Sequence, residues 1–149
     1  QDYEIYRSLI EATAYGALKI IKLIETKGIV IDEVIATGGI GHKNKLFMQI
    51  YADVFGIPVR LVSNVNAVSV GAAIMGAITY KNANEKDIDI SYLVDKLSVK
   101  SRVVFKPNLS ENKSYKKLFK LYSDLHDMFG DNKLSKNLFH IMKALKNIN

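Results

Sequence analysis

The residues best suited to chemistry lie between Val34 and Asn44, where an apolar run, Val34-Ile35-Ala36-Thr37, enters Gly38-Gly39-Ile40-Gly41-His42-Lys43-Asn44. The apolar run has the look of a buried parallel strand. Glycines after such a strand let the backbone take positive φ, and the missing Cβ lets a ligand approach the main chain closely. A helix pattern begins near Asn44, and a helix N-terminus offers unpaired N–H groups and a partial positive charge that favour phosphate. Asn44 can cap that helix through its side-chain oxygen. Ligands of parallel α/β sheets bind outside the carboxyl ends of the strands, where this loop sits. The competing reading is a plain strand-to-helix turn whose glycines serve chain geometry alone.

Established nucleotide fingerprints do not fit. No G-x-x-x-x-G-K-[ST] spacing occurs in the chain. A dinucleotide G-x-G-x-x-G would start at Gly39 but meets Asn44 in its third position, and Ser63-Asn64 stands where the ribose-binding acid belongs. Other chemistries have less behind them. Cysteine is absent, which removes disulfides, thiol catalysis and cysteine metal sites. His42 reads as a solvent-exposed loop residue within reach of a phosphate, while His126 and His140 fall on amphipathic patterns without a partner at metal-ligand spacing. Ser63 and Ser69 have no nucleophile elbow. The residues therefore predict neither a catalytic group nor a metal site in this chain.

The elements that must position the loop follow from periodicity. Tyr3 to Lys27 predicts a helix with a stripe at Ile5, Leu9, Ala12, Gly16, Ile20 and Leu23, stopped by Gly28. Leu46 to Phe55 predicts a second helix ended by Gly56, and Pro58 to Val62 a second strand with Pro at its first position. Ala67 to Tyr80 predicts a third helix whose small residues Gly71, Ala72, Ala73, Gly76 and Ala77 suit close helix–sheet packing. Periodicity fades from Lys81 to Asn108, apart from a short apolar stretch at Val103–Phe105. Two amphipathic stripes follow: Tyr115, Leu118, Tyr122, Leu125 and Phe129, then Leu134, Leu138, Ile141 and Leu145. They predict an antiparallel helical hairpin packed on an α/β core. Two strands leave sheet edges open, so the remaining strands are expected from sequence upstream of Gln1 or from a partner chain, with homodimer formation as one consequence.

Composition narrows the class. At 149 residues, with 48% hydrophobic and 24% charged, the chain has enough apolar material for one globular domain and is not compositionally disordered. No apolar run reaches the roughly 18 residues of a membrane span, and the opening Gln1-Asp2-Tyr3-Glu4 lacks a secretory pattern, so no membrane partner and a cytoplasmic setting are expected. The formal charge of +6 comes largely from lysines after residue 100 at helical spacing. They read as a solvated helix face, not as a nucleic-acid surface, because Arg102 is the one arginine in that half.

Several stretches together resemble the C-terminal signature of the FGGY carbohydrate kinases. These are Ile35-Ala36-Thr37-Gly38-Gly39-Ile40, Lys43-Asn44, Met48-Gln49-Ile50-Tyr51-Ala52-Asp53-Val54 and Gly71-Ala72-Ala73, with Glu4 to Ala14 and Tyr122-Ser123-Asp124-Leu125-His126 at the two ends. The likeness is nearest to members acting on the ketopentose L-ribulose. It implies an α/β fold, a partial actin-like ATPase (ribonuclease H-like) domain with parallel strands flanked by helices, over residues 1–108, extended by a helical hairpin over 109–149. It implies ATP, with Mg²⁺ in the intact enzyme, and transfer of the γ-phosphoryl group to a sugar hydroxyl. By the resemblance, Gly38 and Gly39 present backbone to the phosphates, Lys43 and Asn44 lie beside adenine and ribose, and Gly71 and Ala72 shape the adenine pocket floor. Asp53 holds a motif position that suits an exposed helix acid or a hydrogen-bond anchor equally. The sugar site and the base belong to a missing N-terminal domain, so the chain alone is expected to be inactive. Two readings compete: a non-catalytic interaction module with a basic hairpin, and a kinase of another sugar or polyol in the same family.

Overall fold

A computed structural model describes residues 2–62, 66–83, 89–97 and 102–130. The element order is α1 (Asp2–Glu25), β1 (Val34–Ala36), α2 (Gly39–Lys43), α3 (Lys45–Phe55), β2 (Val59–Val62), α4 (Ala67–Ala83), α5 (Ile90–Leu97), β3 (Arg102–Phe105) and α6 (Leu109–Gly130). The chain forms two compact units. The first gathers residues 1–30, the end of α3 at 53–56, and α6; the second holds 31–52 and 57–106.

The second unit is built on a three-stranded sheet in the order β1-β2-β3. β1 and β2 are parallel, with Val34 opposite Val59 and Ala36 opposite Leu61, and the Val34 N–H donates to the Pro58 carbonyl. β2 alternates Val59 and Leu61 inward with Arg60 and Val62 less covered, as a strand with two unlike faces must. The Arg60 guanidinium donates twice to Glu33 Oε2, at 3.1 and 2.5 Å.

The third strand corrects the two-strand expectation. Val103–Phe105 belongs to β3, which pairs antiparallel with β2, Leu61 facing Val103 and Val59 facing Phe105. Its apolar residues give no clean alternation, because Val103 and Val104 are both exposed. An antiparallel edge strand does not need the continuous apolar run that marks a buried parallel one.

The first unit is a helical seam. Along α1 the buried positions are Ile10, Ala14, Tyr15 and Leu18. The expected stripe is rotated away from the core, with Ile5, Leu9, Ile20 and Leu23 all more than 60% exposed. α6 decides which face is covered. Tyr15 meets Tyr115 edge-on at 6.2 Å between ring centroids, and also touches Phe119 and Tyr122. Such pairs add about 0.5–1.5 kcal/mol each beyond the area they bury.

A closed polar triangle pins the start of the seam. Arg7 Nη2 donates to Tyr115 Oη at 2.9 Å, Tyr115 Oη donates to Glu11 Oε1 at 2.9 Å, and Arg7 Nε donates to the same Glu11 oxygen at 2.8 Å. Further along, Lys19 pairs with Asp127 at 2.8 Å. The second expected hairpin stripe, Leu134 to Leu145, lies outside the described residues.

α4 departs from expectation as well. Gly71, Ala72, Ala73 and Gly76 are exposed, and a Cβ built at Gly71 or Gly76 would meet nothing within 4 Å. The close helix–sheet packing expected of these small residues does not occur among the described residues.

Candidate functional site

Strand β1 ends at Ala36, and Thr37 leads into Gly38 at φ 102° and ψ 173°, a conformation that L side chains rarely adopt. Gly38 precedes Gly39 as the N-cap of α2, which makes no side-chain cap bond. The expected open turn from Gly38 to Asn44 is therefore one left-handed glycine followed by a single helical turn. A Cβ added to Gly38 or Gly39 would meet nothing within 4 Å. Both glycines are half-buried but open in the direction a side chain would take, and they sit at the carboxyl end of a parallel pair, the position where such sheets receive ligands.

Gly41 is a different kind of glycine. It is buried, and a Cβ there would fall 2.7 Å from Leu61 Cδ1 and 3.0 Å from Met48 Sδ. Its role is to seat α2 against β2 and α3, which fixes where the two preceding glycines lie. In the sequence Gly41 stands only as the second glycine of a dinucleotide fingerprint that fails at Asn44. A small residue two positions past the Gly-Gly pair was the available signal.

Asn44 closes α2 and caps α3 as expected: Phe47 N–H donates to Asn44 Oδ1 at 3.0 Å. Such a cap contributes about 1 kcal/mol. Lys43 is the last residue of α2 and is exposed. Gly38, Gly39, Lys43 and Asn44 thus lie within seven consecutive residues, with Lys43 exposed and the Asn44 side-chain oxygen engaged in the cap of α3.

His42 is not the exposed loop residue expected. It is half-buried, and its Nε2 is closed to solvent without a hydrogen-bond partner among the described residues. The helical turn of α2, seated through Gly41, carries His42 off the open surface that an extended loop would give it. Asp53 resolves toward the anchor reading. It is 6% exposed, its Oδ1 accepts the Asn108 N–H at 2.7 Å, and its carbonyl accepts from Asn112 Nδ2 at 2.7 Å. Asp53 thereby holds the start of α6, within the first unit.

Among the described residues, the groups whose titration is clearly displaced lie in that unit. Lys19, then His126, holds the Asp127 carboxyl below its ordinary value through hydrogen bonds. Burial pushes the Tyr15 and Tyr115 hydroxyls up. His126 is exposed, with its Nδ1 2.9 Å from Asp127 Oδ1, and His140 lies outside the described residues. Among the described residues no cluster of three or more His, Asp or Glu could hold a metal ion. No helix among them is long and apolar enough to cross a membrane. A cavity of about 540 Å³ is lined by residues of α1, the turn after it and α6, and includes none of the glycine-turn residues.

Comparison with known proteins places this turn in a family. The pattern of the FGGY family of carbohydrate kinases, C-terminal domain, matches residues 1–80. The chain belongs to that family. Similar curated proteins include the ribulokinase of Geobacillus thermodenitrificans, 37% identical over 139 residues, and that of Anoxybacillus flavithermus, 38% identical over 139 residues; each match covers 92% of this chain and 25% of the relative. The ribulokinase of Bacillus licheniformis is 37% identical over 146 residues, 97% of this chain and 26% of the relative. The chain thus spans about a quarter of the length of these relatives. Among solved structures, the xylulose kinase of Rhodospirillum rubrum aligns with TM-score 0.64 and 25% identity over 82% of this chain and 24% of that one. The ligand-bound xylulose kinase of Lactobacillus acidophilus aligns with TM-score 0.69 and 21% identity, covering 89% of this chain and 26% of that one, a likeness of fold. The α/β fold with its small sheet is accordingly one found in sugar kinases.

Proposed function

We propose that this chain is the nucleotide-binding C-terminal part of an ATP-dependent sugar kinase that phosphorylates L-ribulose to L-ribulose 5-phosphate. The observation that carries the reading is the uncovered main chain of Gly38 and Gly39 at the carboxyl end of β1, in a member of the FGGY family. Identity of 37–38% to ribulokinases, against 25% and 21% to the aligned xylulose kinases, favours ribulose among the ketopentoses.

In this reading the bare peptides cradle the polyphosphate, and Lys43 and Asn44 flank the adenine and ribose. The open Gly71–Ala72 face of α4 forms the adenine floor. Bare peptides suit phosphate oxygens, because N–H groups can approach them without a side chain between. Phosphoryl transfer rests on positioning and charge neutralisation, and the Mg²⁺ that supplies the latter travels with the nucleotide. In this reading the ion's protein ligands, the base and the sugar pocket belong to the other part of the enzyme. Residues 1–108 are then a partial actin-like ATPase domain and 109–149 a helical hairpin on it, in a cytoplasmic enzyme. The reading includes no nucleic-acid or membrane partner, and the open edge of β1 makes a homodimer of the isolated chain an accompanying proposal.

A coupled assay of the isolated chain with ATP, Mg²⁺ and L-ribulose tests the division of labour. No turnover is expected. Robust turnover would place base and sugar site inside these residues and overturn the reading.

A further inference from the structure

Helix α3 keeps one aromatic stripe partly out of the core. Met48, Ile50 and Ala52 are buried, each 3% exposed or less. Phe47 and Tyr51, one turn apart, are only half-buried. Their rings stack at 4.5 Å between centroids and 24° between planes. A stacked aromatic pair is ordinarily core packing, but here the core positions of the helix are filled by its aliphatic residues.

The stripe begins where the glycine turn ends. β1 and β2 are parallel and α3 connects them, so the first turn of α3 lies at the same end of the sheet as Gly38 and Gly39. Phe47 stands in that turn, and its N–H is the one that Asn44 Oδ1 caps. Long side chains on a helix lean toward its N-terminus, which directs the Phe47 ring toward the Asn44 end. Met48, the next residue, has its sulfur beside Gly41. Phe47 and Tyr51 follow on one side of it, about 100° and 60° round the helix, so the stripe runs alongside the seat of α2. From Gly39 to Asn44, α2 advances about 7.5 Å at about 1.5 Å per residue. That reach is comparable to the span from phosphate to base across a ribose.

We propose that Phe47, backed by Tyr51, is the platform on which the base of the bound nucleotide stacks. The proposal rests on the nucleotide reading of the glycine turn and adds to it the residue that recognises the base by its face. Asn44 reads at most an edge: its Oδ1 is committed to the cap, which leaves the Nδ2 donors for the base. An aromatic ring holds a base through its π-face, whatever groups that base carries on its edges.

Calorimetry on the intact protein that carries these residues, with ATP and with inorganic tripolyphosphate, separates base from phosphate. Phe47→Leu keeps the apolar bulk and loses the π-face. It should weaken ATP binding about fivefold or more, the low end for loss of a base–aromatic stack. Tripolyphosphate affinity should stay unchanged, and Phe47→Tyr should bind ATP as the unaltered protein does. Affinities for ATP and tripolyphosphate that fall together would make Phe47 a prop of the turn and overturn the proposal. Undiminished ATP affinity in Phe47→Leu would overturn it too, while leaving the nucleotide reading in place. Failure of the unaltered protein to bind ATP would instead sink the nucleotide reading, and the platform with it. A second measurement needs no variant to fold: 8-azido-ATP, irradiated on the unaltered protein, should label Phe47 or Tyr51 in peptide mass spectra. Labelling confined to other segments would contradict the platform.

Discussion

The glycine turn after β1 and the α1–α6 seam are built on opposite principles. In the turn, Gly38 and Gly39 matter for the atoms they lack, and the space around them is open. In the seam, Tyr15, Tyr115 and the Arg7–Glu11 pair matter for the atoms they have, and those atoms are packed and bonded. Added atoms at Gly39 should therefore disturb a ligand and spare the fold. Removed atoms at Tyr115 should weaken the fold and leave the turn's chemistry untouched.

The largest effect should come from emptying the seam. Tyr115 is 4% exposed, so Tyr115→Ala loses ring packing and orphans the Arg7–Glu11 pair, at a cost of about 3–5 kcal/mol in urea unfolding. A loss under about 1 kcal/mol would show that the seam does not hold α6.

Next comes the anchor of α6. Asp53→Ala removes the acceptor of the Asn108 N–H and should cost about 1.5–3 kcal/mol, the range for a hydrogen bond to a charged group. An unchanged denaturation midpoint would return Asp53 to the role of an ordinary helix acid.

The smallest effect belongs to the exposed end of the seam. Hydrogen bonds from Lys19 and His126 lower the Asp127 carboxyl, so its contribution is present above the unfolded aspartate value of about 3.9 and fades as pH falls through the lower folded value. Solvent screening keeps that contribution below about 1 kcal/mol. Asp127→Asn should thus narrow the difference in melting temperature between pH 7 and pH 3 slightly. A widened difference would give the pair the wrong sign.

The same contrast explains what was legible in the sequence. Local signals read well: Asn44 caps α3, Gly56 follows its end at φ 71°, and both parallel strands lie where apolar runs meet punctuating residues. The glycine turn was legible as a turn because backbone left open by glycine is a matter of composition. Facts set by distant partners were not. α1 carries apolar residues on two faces, and only the aromatic residues of α6, about a hundred positions later, select the face with Tyr15. β3 was hidden because its exposed valines break the alternation that would reveal a half-buried strand. The burial of His42 depends on the seat at Gly41, and that seat is made by Leu61 and Met48 side chains.

The most direct test of the nucleotide cradle is to add a carboxylate to it. On the proposed function, Gly39→Asp in the intact protein that carries these residues should weaken ATP binding at least tenfold, about 1.4 kcal/mol, by isothermal titration calorimetry. The space around Gly39 is open, so the melting temperature should stay unchanged. Undiminished ATP affinity in the folded variant would contradict the assignment and leave these glycines a purely structural turn.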